Sequence, residues 1–256
     1  MSPDAFAAVV AAVIFVGGLV GLILQRLLPE SFTTGSPRDM IGAVVGLLTL
    51  LSALVLGLLI WTAYGVYSGQ NQAVQTLASK VLQLDLTLAD LGPQADPLRK
   101  KLRETLAKTI DDVWGANESD PDFVAKNFAA AVNSLRNREK ALGDLHPDTD
   151  EQKHALASAT AALDAIGQAR LQMSFALTAP VSYPLIYTVV GWATCLFLGY
   201  GLMSKHSAMA LLTVFAGAIA VESAFDLILD LSDPYSGVFR ASPAPLEQVL
   251  AVMGKE

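Results

Sequence analysis

Residues Met40–Leu91 read MIGAVVGLLTL LSALVLGLLI WTAYGVYSGQ NQAVQTLASK VLQLDLTLAD L. Two features of that run set the architecture. Met40–Ile60 is uninterrupted apolar sequence, and about 20 such residues cross a bilayer as a helix. From Gly69 onward apolar residues recur at Val74, Leu77, Val81, Leu84, Leu88 and Leu91, a 3-4-3-4-3 spacing. That spacing is the seam along which one helix winds on another. No breaker separates Ile60 from Gly69, so the span is expected to run on into the polar helix until Gly92-Pro93 stops it.

Three more apolar runs flank this one: Ala5–Leu24, Tyr183–Met203 and Ala208–Leu231. The first has no basic start and is followed by Gln25-Arg26 rather than a small-residue cleavage site, so it reads as a retained span. The chain has 256 residues, 53% of them hydrophobic and 16% charged, with a mean hydropathy of +0.46. Of its 41 Asp, Glu, Lys and Arg residues, 27 lie between Gly69 and Val181. Two membrane-like blocks thus enclose one polar block, which excludes a single soluble globule and a nucleic-acid binder with a basic face. Cys195 is the one cysteine and supports neither an internal disulfide nor a thiolate metal cluster. The net charge of −7 gives no general attraction to anionic partners.

The polar block reads as four helices. After the heptad helix, Asp96-Pro97 supplies an N-cap and first-turn proline for a helix to about Trp114. Asp120-Pro121 repeats the signal for a helix to about Leu142. A fourth runs from about Thr149 to Leu177, with Leu156, Leu163, Ile166, Met173 and Leu177 on one side. The fold class is therefore all-α and polytopic, with four transmembrane helices and a central four-helix extramembrane bundle. Its divisions are 1–68 (two spans), 69–181 (bundle with a heptad stalk), 182–232 (two spans) and 233–256 (a turn and short helix).

Small residues mark close helix packing. Gly17 and Gly21 form one G-x-x-x-G; Gly42 and Gly46 form another, continued by Thr49, Ala53 and Gly57. In lipid no hydrophobic force drives helices together, so small faces that admit backbone contact do so. The simplest pairing is the first span with the second; association between copies is the other use. Trp61, Tyr64, Tyr67, Tyr183 and Tyr187 fall where a belt at one water interface would stand. Basic residues near the span ends balance; the first span alone favours an N-terminus outside, since Arg26 and Arg38 follow it and no Lys or Arg precedes it.

The residues that point to function are acids in the last span. Glu222, Asp226, Asp230 and Asp233 are spaced by four, four and three, which puts them on one helix face. A carboxylate at a helix centre costs about 2.5–3.5 kcal/mol to insert, and the pair Glu222 and Asp226 about twice that. No Lys or Arg lies in the core of any span. The acids must then face water, hold a cation, carry a proton, or accept hydrogen bonds from hydroxyls such as Thr49, Ser52, Thr62, Tyr187, Thr188 and Thr194. A water-filled path lined by carboxylates favours cations, which makes monovalent cations the expected cargo. Other groups read as structural. His146, His154 and His206 lack ligand spacing; Arg99, Lys100, Lys101 and Arg103 read as a solvated face; Arg170 interrupts an apolar face and is expected to pair with Asp85 or Asp90. No nucleophile–base pair, H-E-x-x-H or P-loop occurs, so neither an enzyme nor a cofactor is expected.

Several blocks carry a resemblance. Leu54–Ile60 runs on into Ala73-Val74-Gln75-Thr76-Leu77-Ala78, then Leu91-Gly92-Pro93-Gln94-Ala95. Later come Leu227–Gly237, with Pro234-Tyr235-Ser236-Gly237, and Ser242-Pro243-Ala244-Pro245-Leu246. In order and over nearly the whole chain these resemble the bestrophin-like family of bacterial membrane proteins. The resemblance implies a relation to bestrophins, which are pentameric ion channels with four spans per subunit and a cytoplasmic helical part, opposite to the orientation that the first span favours. It implies a homo-oligomer in the bacterial inner membrane. Asp230 matches a position where that pattern usually has an acid, whereas Glu222 and Asp226 stand where it is usually apolar or small. The expected function is an oligomeric ion channel with a cation-favouring face on the last span; the alternative is a non-conducting scaffold or sensor that recruits a partner through its bundle, and a third reading is a proton-coupled carrier using Glu222 alone.

Overall fold

The uninterrupted sequence from the second apolar run to Gly92 folds as one helix of 55 residues, Ser36–Asp90. The computed structural model describes residues 3–29, 34–115, 142, 145, 147, 149–177, 183–204, 207–235 and 238–253. In chain order its helices are α1 (Pro3–Leu27), α2 (Ser36–Asp90), α3 (Asp96–Trp114), α4 (Asp150–Leu177), α5 (Tyr183–Met203), α6 (Ala208–Ser232) and α7 (Ala244–Met253), with a 3-10 turn at Pro93–Ala95. No strand occurs among the described residues. Four helices are long and apolar enough to span a bilayer: α1, α2, α5 and α6. The helix expected from Asp120-Pro121 lies outside the described residues up to Leu142, which is buried.

The chain divides into two compact units, Met1–Gly65 with Pro180–Ser232, and Val66–Ala179 with Asp233–Glu256. In the first, α1 packs on α5 and α6. A Cβ added at Gly17 would stand 2.7 Å from Thr194 Cγ2, one at Gly21 would strike the Leu198 carbonyl, and one at Gly18 would strike Val214. The glycine face of the first span thus meets the third and fourth spans, which corrects the expected pairing with the second. Close approach needs room on both helices, and α5 provides it at Gly201, opposite Gly18 and Gly21. α2 meets α5 near its own start. Gly42 faces Met203, Val45 fits over Gly199, Thr49 Oγ1 and the Tyr200 hydroxyl lie 3.2 Å apart, and Arg38 Nη2 donates to the Met203 carbonyl at 3.3 Å. Gly46 and Gly57 meet nothing within 4 Å. Of the four spans, the second is the least buried.

The second unit has an apolar core of its own. All six heptad residues, Val74 to Leu91, are buried against Leu102 and Leu106 of α3, Leu163 and Ile166 of α4, and Leu246, Val249 and Met253 of α7. Gly92, at φ +79°, turns the chain after α2, a conformation that glycine adopts without steric cost. Asp96 sits in the first turn of α3 rather than capping it through its side chain, where its charge still favours the helix N-terminus. α4 opens with a reciprocal cap: the Gln152 N–H donates to Thr149 Oγ1 at 3.2 Å and the Thr149 N–H to Gln152 Oε1 at 3.4 Å.

Candidate functional site

The face of α6 that packs inward carries Val214, Ala218, Phe225, Ile228 and Leu231. The acids flank it. Glu222 and Asp230 are half-buried, and Asp226 and Asp233 exposed. Asp230 and Asp233 each make a polar contact; among the described residues Glu222 and Asp226 meet no hydrogen-bond or ion-pair partner, and no three ligand-type side chains gather as for a metal. Of the six hydroxyls that sequence offered as donors, the four threonines are committed elsewhere. Thr49 donates to the Val45 carbonyl at 2.8 Å, Thr62 to Leu59 at 2.9 Å, Thr188 to Pro184 at 2.9 Å and Thr194 to Val190 at 2.8 Å. Tyr187 instead packs its ring edge-on to Phe6 at 6.3 Å. The Ser52 hydroxyl is buried without a partner among the described residues. Among the described residues, therefore, no hydrogen bond compensates Glu222 and Asp226; water, a cation, a proton or a neighbouring copy can do so.

A second polar site, in the other unit, gathers where the tail returns to the bundle. Gln70 is one position before Val74 on the heptad seam and only 1% exposed. Its Nε2 donates to the Met173 carbonyl of α4 at 3.1 Å, and its Oε1 accepts from the Tyr235 hydroxyl at 2.8 Å. The Tyr235 ring stands edge-on to Trp114 at the end of α3, centroids 5.7 Å apart. Trp114 Nε1 donates to the Ala241 carbonyl at 2.7 Å, and the Ala241 N–H donates to the Pro234 carbonyl at 2.7 Å. One buried amide and one indole thus tie α2, α3 and α4 to the segment after α6. Burial pushes the Tyr235 hydroxyl pKa well above its ordinary value, because a phenolate there would lose its hydration. The sequence held a signal for this site: a glutamine in a position that periodicity assigns to the core needs partners.

Charge pairing in the bundle departs from expectation. Asp85, 3% exposed, is held bidentately by Arg99, whose Nε and Nη2 donate at 3.0 and 3.1 Å. Arg99 is therefore no part of a solvated face, and Arg170 pairs with neither Asp85 nor Asp90. Instead its Nη2 donates to Thr109 Oγ1 at 3.1 Å, and burial lowers its pKa. His154 is exposed; His146 and His206 lie outside the described residues.

A polytopic helical membrane protein with an attached helical bundle is the class that these features define. The chain belongs to the Bestrophin-like family, whose domain model matches residues 10–246. Among curated proteins no sequence matches it. Two crystal structures, both single-substitution variants of a bacterial bestrophin homologue from Klebsiella pneumoniae, share the fold. One aligns with a TM-score of 0.63 at 13% identity, over 100% of this chain and 99% of that one; the other with 0.56 at 14%, over 100% of each.

Proposed function

We propose that the protein is an oligomeric ion channel in which the acidic face of α6 favours cations. The observation that carries this reading is Glu222 and Asp226, two carboxylates in a spanning helix with no donor or cation beside them among the described residues. Carboxylates so placed are stable when they line water or meet a passing cation. Membership in the Bestrophin-like family supports a channel rather than an enzyme. The openness of Gly46 and Gly57 on the least buried span supports assembly, because small-residue faces are where helices of neighbouring copies come together in lipid. A pentamer is the stoichiometry that the resemblance to bestrophins suggests. Purified protein in vesicles loaded with potassium chloride tests the reading: ion flux from an assembly of several copies is expected, whereas a monomer, or an assembly that passes no ion, refutes it and leaves a scaffold.

A further inference from the structure

We draw no further inference here: the strongest candidate, the open face of α2 that carries Gly46, Gly57 and the exposed Trp61 in the membrane-spanning unit, carries nothing further because nothing among the described residues shows what covers it.

Discussion

At Tyr235 a single hydroxyl separates a satisfied buried amide from an orphaned one. Tyr235→Phe removes the 2.8 Å bond to Gln70 Oε1 and leaves that oxygen buried, at a cost of about 1–3 kcal/mol in chemical denaturation of the detergent-solubilised protein. The same residue makes the fold alkali-sensitive. In the unfolded chain Tyr235 loses its proton near its ordinary 10.0, while the folded site retains it. Above that pH the unfolded state binds fewer protons, so stability falls as pH rises. The alkaline loss measured in wild type is expected to be smaller in Tyr235→Phe, and an identical pH profile would contradict the burial argument. Asp85 offers a sharper case. Arg99→Met leaves its carboxylate buried without a counter-charge and is expected to destabilise by about 3–5 kcal/mol, whereas Arg99→Met with Asp85→Leu recovers most of that. Comparing the two variants' denaturation midpoints decides between a needed charge pair and a replaceable one.

At the scale of elements, glycines of similar spacing have different surroundings. Gly21→Ala drives a methyl into the Leu198 carbonyl, and overpacking of this kind costs about 1–3 kcal/mol. Gly46→Ala and Gly57→Ala meet open space in the subunit; the expected result is an unchanged fold with a weakened assembly, read by thermal melting and by mass of the detergent complex. Helices themselves were legible in the sequence. The heptad seam named its own buried face residue by residue, and the absence of a breaker foretold one helix through Ile60 and Gly69. Partners were less legible. A G-x-x-x-G face states that something comes close without stating what, because the complementary gap at Gly201 lies in a different part of the chain. Likewise periodicity placed Arg170 on an apolar face but could not show that Arg99, entering from α3, already occupies Asp85.

For the whole molecule, the proposed conduction is supported by membership in the Bestrophin-like family and by Glu222 and Asp226, which meet no hydrogen-bond or ion-pair partner among the described residues. Spacing alone puts Glu222, Asp226 and Asp230 on one side of a helix; it does not show that α6 ends at Ser232, before Asp233. What spacing cannot supply is that Thr49, Thr62, Thr188 and Thr194 bond to carbonyls of their own helices rather than to Glu222 or Asp226. Measuring the reversal potential of reconstituted protein in a potassium chloride gradient, wild type against Glu222→Gln with Asp226→Asn, tests this most directly. Wild type is expected to reverse towards the potassium equilibrium potential and the double variant to shift towards zero or towards chloride. Equal reversal potentials for the two would contradict it.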